Sequence, residues 1–209
     1  MSVSAGARMR RMSVFLRDVR RLWGDRRGIA AVEFALIAPL LLALYFVTME
    51  LSLGIETNRK VGRIGSMVAD LITQQPGSIN KAELESIMQL DQALIQPYGR
   101  SKPKIVVTAI KITDEATPRV LVDWSRQVAN DLFSVPYAKN SATTVPEQLK
   151  IRNTFVIRVE SGLDYRPLIT WSAAQKSPLG LTAAFDRIAM KDTYYLRPRM
   201  SPNITCNDC

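Results

Sequence analysis

The chain has 209 residues with 28 Lys+Arg against 19 Asp+Glu, no His, and only two cysteines, Cys206 and Cys209, in its final four positions. Without imidazole, Ser-His-Asp and Cys-His hydrolysis and histidine-bearing metal sites are excluded. No disulfide framework can carry the fold, so the core rests on apolar burial. The length suits one domain plus an appendage.

Residues 1–28 hold eight Arg against Asp18 and Asp25. A basic arm of this kind grips phosphates when it leads into a soluble domain. Here it leads into Ile29–Leu53, IAAVEFALIAPLLLALYFVTMELSL, in which only Glu33 and Glu50 are charged. As a helix this run measures roughly 37 Å at about 1.5 Å per residue, enough to cross about 30 Å of hydrocarbon with some tilt. Arginine on the N-terminal flank fits residues 1–28 in the cytoplasm and residues 54–209 exported, which argues against a nucleic-acid partner. A cleaved secretory signal fits poorly, because FVTMELSLGIE carries no Ala-x-Ala site. A glutamate at position 33, in or near the lipid interface, is costly and needs a partner or a route to the headgroups.

The order at the start of the run is a basic leader, Gly28, four apolar residues from Ile29, Glu33, the aromatic Phe34, then a long apolar stretch. That order resembles the class III signal of type IV pilin-like proteins. More specifically, GIAAVEFALIAPLLLALYFVTMELS resembles the TadE-like minor pseudopilins of the bacterial tight-adherence (Tad/Flp) pilus system, closely over residues 24–70. The resemblance implies a non-enzymatic protein without a cofactor, metal site or small-molecule substrate. It implies residence in the bacterial inner membrane, with the C-terminal domain periplasmic or incorporated into the pilus. Its partners would be other pilins and pseudopilins, the inner-membrane assembly platform, membrane lipid, and a prepilin peptidase cutting between Gly28 and Ile29. Glu33 then becomes mature residue five, placed to pair with the new α-ammonium of Ile29 on a neighbouring subunit. The alternative from another class is an unprocessed single-pass anchor carrying a ligand-binding or adhesin-like module.

Pro39 lies inside the span and removes a backbone hydrogen bond near Ala35, so a bend is expected there. Ala35 and its fellow alanines permit close approach of other helices. Beyond the span, Val61, Ile64, Val68, Leu71 and Ile72 recur at helical spacing up to about Gln75, where Gln75-Pro76-Gly77-Ser78 stops the helix. Asn80 with Glu83 is a capping-box signature, and Leu84, Ile87, Met88, Leu94 and Ile95 continue a helical face.

Strand patterns follow: Lys104–Thr113, then Val120, Val122 and Trp124 as a hairpin partner, Asn153–Glu160, and about Ile188–Arg197 with Ile188, Met190, Tyr194 and Leu196 inward. The expected class is α+β, a long N-terminal helix on an antiparallel sheet as in pilin-like proteins. Residues 126–150 and 171–186 read as loops with short helices. Gly54, Gly62 and Gly65 lack the context of a phosphate loop. Trp124, Tyr165, Trp171, Tyr194 and Tyr195 read as core rather than as a ligand platform, and Asp114 and Glu115 as turn residues. Cys206 and Cys209 are placed to close a four-residue loop in an oxidising compartment, or to link to a partner subunit.

Overall fold

The computed structural model describes residues 28–90, 94–167 and 187–209. The basic leader through residue 27, Trp171 and the 171–186 segment lie outside the described residues. The chain divides into two compact units, Met1–Met49 and Glu50–Cys209. In the first, the described residues form the opening of helix α1, which spans Ile29–Thr73 with Pro39 inside it. Leu36, Leu40 and Leu44 of this part stand exposed.

In the second unit α1 turns amphipathic. Thr57, Val61, Ile64, Val68 and Ile72 are buried at intervals of three and four residues, the spacing of one helical face. Two glycines on this face let the sheet approach closely. A Cβ on Gly62 would stand 2.8 Å from Asp192 Oδ2, and one on Gly65 2.6 Å from Ser161 Oγ and 3.0 Å from Tyr194 Cδ2. The helix ends at Thr73, and Gly77 takes the left-handed conformation (φ 96°) that the turn requires. Helix α2, Lys81–Met88, begins with the expected capping box: Asn80 Oδ1 accepts from Glu83 N–H at 2.8 Å and Glu83 Oε2 from Asn80 N–H at 3.3 Å.

Five antiparallel strands follow: β1 Lys104–Ile112, β2 Val120–Ala129, β3 Leu132–Ser134, β4 Thr154–Tyr165 and β5 Ile188–Leu196, in the order β3-β2-β1-β4-β5. The α+β class expected from the sequence is therefore the one observed. Ile105, Val107, Ala109, Trp124, Ile157, Val159 and Leu163 join the α1 and α2 residues in one core.

Three local expectations are corrected. Residues 126–150 are not simply loop and short helix, because β2 runs on to Ala129, turns tightly at Asn130 (φ 51°) and Asp131 (φ 64°), and returns as β3. Two successive left-handed residues make the mirror-image turn that matches strand twist. The polar stretch Ser125-Arg126-Gln127 conceals this strand because both faces of the sheet are covered. Arg126 is buried and bonds Glu85 of α2, while Ser125 Oγ donates to Tyr137 O at 2.7 Å on the other face. Likewise β4 is longer than expected, and Arg158 is buried, reaching Thr143 and Thr144 with Tyr137 beneath its guanidinium. Ile188 is exposed rather than inward, since it opens an edge strand with no further strand beside it among the described residues.

The C-terminal segment closes the fold. Arg199 N–H donates to Thr73 O and its guanidinium pairs with Asp70. Ile204 is fully buried, its carbonyl accepting from Trp124 Nε1 at 2.8 Å, and Asp208 accepts from Lys81 N–H at the start of α2. These contacts explain why Trp124 is buried and satisfied rather than open to a ligand.

Gly65→Val would force a branched side chain into Ser161 and Tyr194. The expected loss is about 1–3 kcal/mol, read from urea unfolding of the detergent-solubilised chain; an unchanged midpoint would show that the helix and sheet can separate there at no cost.

Candidate functional site

The apolar part of α1 is the first candidate. It is the one helix among the described residues long and apolar enough to cross a membrane, with a mean hydropathy of 2.2 in its most apolar stretch, none of which is buried within the chain. Burying a Leu or Phe side chain is worth about 1.5–3 kcal/mol, so this surface calls for a cover that the described residues do not supply. Gly28 immediately precedes the helix, and a Cβ there would meet nothing within 4 Å among the described residues. Among the described residues the fold therefore places no steric demand for glycine at position 28. Glu33 and Phe34 stand exposed on the first turns, Phe34 at 72%. Ala35 and Pro39 lie within the same continuous helix.

Glu50, the second carboxylate of the run, has an entirely different setting. Tyr165 at the end of β4 donates its hydroxyl to Glu50 Oε1 at 2.5 Å, and Arg100 Nη1 lies 3.7 Å from the same oxygen. Tyr165 stacks on Tyr98 with centroids 5.0 Å apart, and Arg100 lies over the other ring of that pair, 5.5 Å from the Tyr98 centroid. Backbone groups complete the cluster: Arg166 N–H donates to Tyr98 Oη, Arg100 Nη1 to Arg166 O, and Ser101 Oγ to Asp164 O. Burial first, and then the hydrogen bond to the Glu50 carboxylate, push the Tyr165 phenol up to about 12. A carboxylate at the end of an apolar helix is thus held by a phenol and a guanidinium, the condition under which partial burial of charge is tolerated.

The remaining candidates do not converge. Tyr165 belongs to the Glu50 cluster, Trp124 to the core, and Tyr194 and Tyr195 to the β5 side of an open groove of about 550 Å³ against α1. Glu115 pairs with Arg119 across the β1–β2 turn, and that hydrogen bond holds the exposed Glu115 carboxyl below its ordinary range. Cys206 and Cys209 are joined to each other, their Cα atoms 5.5 Å apart. Sequence reasoning treated Glu50 only as a charge bounding the run. Its partners are 50 and 115 positions away, and no local spacing announces them.

Residues 28–63 match the family model of TadE-like proteins. That range opens at Gly28, covers the whole apolar run, and ends on the first buried turns of the amphipathic part of α1. No curated protein and no solved structure matches the chain.

Tyr165→Phe removes the hydroxyl from Glu50 and is expected to destabilise the Glu50–Cys209 unit by about 1.5–3 kcal/mol, as for other hydrogen bonds to charged groups. The pH dependence has a definite sign. A phenol raised from about 10 to about 12 lends stability that is whole below pH 10 and is lost as pH rises through 12. Burial, and then its bond to Asp192, raise the Tyr194 phenol as well, so ultraviolet titration of phenolate absorbance should show more than one late tyrosine, and Tyr165→Phe should remove the component near 12.

Proposed function

We propose that this chain is a membrane-anchored, non-enzymatic minor pseudopilin or assembly component of a Tad-type pilus. The observation that carries the reading is the TadE-like match over residues 28–63, coincident with a helix whose apolar surface the described residues leave uncovered. In this reading residues 1–28 are a cytoplasmic leader, residues 29–53 the membrane span, and residues 54–209 the exported α+β domain. The eight arginines of the leader favour that orientation.

A prepilin peptidase cuts between Gly28 and Ile29. The absence of any steric demand for glycine at position 28 among the described residues supports a role in recognition, where a residue without Cβ extends readily into a protease site. Cleavage exposes the α-ammonium of Ile29, and Glu33, one helical turn on, meets that charge on a neighbouring subunit. Helix-to-helix packing through the Ala35 and Pro39 region then brings the chain into contact with other pilins and the assembly platform. The exported domain, held by its own core, presents its surface to further subunits.

The test is the N-terminal sequence and intact mass of membrane-extracted protein, made with and without a prepilin peptidase. The expected product starts at Ile29 only when the peptidase is present. Met1 as the N-terminus in both cases would overturn processing and leave a permanently anchored assembly protein. In parallel, Glu33→Ala should still insert and be cut but lose co-extraction with other pilus subunits.

A further inference from the structure

The end of the Glu50–Cys209 unit that carries Glu50 has a chemistry suited to a lipid surface, an inference that rests on α1 crossing a membrane. Leu51 and Ile55 lie beyond Glu50 on α1, yet Leu51 is 63% and Ile55 49% exposed. In a membrane helix, exposed apolar side chains place hydrocarbon up to their own level, about 7 Å past Glu50 at about 1.5 Å per residue. The Arg100 guanidinium lies 3.7 Å from the Glu50 carboxylate, at the end of the domain that this level reaches.

Beside it, Leu53, Lys60, Pro97, Tyr98 and Arg100 share a small cleft of about 180 Å³ between α1 and the loop before β1. Arg166, exposed, is tied to the same loop through its backbone. Glu50 is engaged by Tyr165 and Arg100, and Glu56 by Lys60 at 2.8 Å, while the exposed Asp164 stands two residues before Arg166. Cations at the edge of hydrocarbon, with an amphipathic ring between them, extend to the phosphate layer.

We infer that this end of the domain is a lipid-contacting foot, in which Arg100 and Arg166 bind headgroup phosphates of anionic phospholipids around the exit of α1. The foot holds this end of the domain at the headgroups, and the Tyr165–Glu50 bond ties the end of β4 to Glu50 there. The opposite end of the sheet, the β1–β2 turn containing Thr117, lies a strand length away and contacts no lipid.

The test uses the full chain in vesicles with a bimane fluorophore on Gln96→Cys or, separately, Thr117→Cys; the native cysteines are joined to each other and do not label. Quenching is compared between brominated phosphatidylglycerol and brominated phosphatidylcholine. At position 96 quenching is expected, with phosphatidylglycerol preferred about fivefold, the effect of one basic side chain at an anionic surface; at position 117 none is expected. Arg166→Gln, which changes an exposed side chain, should bring the preference down toward one without changing the unfolding midpoint. Embedded protein with no quenching at 96, or quenching without headgroup preference, would overturn the foot. Failure of the chain to float with the vesicles would instead overturn the membrane reading on which it rests.

Discussion

The 16 residues of α1 between Glu33 and Glu50 carry no charge, and the described residues do not cover them; this constraint governs the architecture. The sheet and α2 are fully occupied with the second part of α1, where Val61, Ile64, Val68 and Ile72 bury against Ile105, Val107, Ile157 and Val159. Among the described residues that core begins at Val61, and Leu36, Leu40 and Leu44 stand exposed. One helix thus serves two solvents, its first part matched to hydrocarbon and its second to a protein interior. The division falls at Glu50, where the Glu50–Cys209 unit begins.

That position explains why the two glutamates of the run have opposite fates. Glu50 is drawn into its own domain by Tyr165 and Arg100, so its charge is compensated before any assembly takes place. Glu33 stands exposed on the first turns of α1, and among the described residues it has neither a hydrogen bond nor an ion pair. In the proposed function it is the carboxylate that awaits a subunit partner. The same economy governs the glycines: Gly62 and Gly65 are demanded by the close approach of Asp192, Tyr194 and Ser161, whereas Gly28 answers to no contact described in the fold.

Much of this was legible in the sequence, for identifiable reasons. The apolar run, the amphipathic continuation and the Asn80 capping box are local patterns, and local patterns are what periodicity reports. Strands β1, β2, β4 and β5 were recognisable where one face is apolar and β-branched. What escaped is what depends on distant partners. Ser125, Arg126 and Arg158 look like loop or solvent-facing residues until Tyr137, Glu85 and Thr143 are brought over them, and β3 is too short to show a period. The Glu50 cluster escaped for the same reason, since its members come from α1, the loop before β1 and the end of β4. The role of the C-terminal segment, with Ile204 in the core and Asp208 at the start of α2, was equally invisible because it joins residues 80 and 127 positions apart.

Hydrocarbon covers the first part of α1, and protein covers the helix from Val61 onward. A depth scan tests this directly: single cysteines at positions 36, 40, 44, 61, 64 and 68 of the full chain in vesicles, each carrying a spin label, read by collision with oxygen and with a water-soluble nickel chelate. High oxygen and negligible nickel access are expected at 36, 40 and 44, and low access to both at 61, 64 and 68, where the helix is buried. High nickel access at 36, 40 and 44 in folded protein would show that water, not lipid, meets the first part of α1, and would overturn the membrane span.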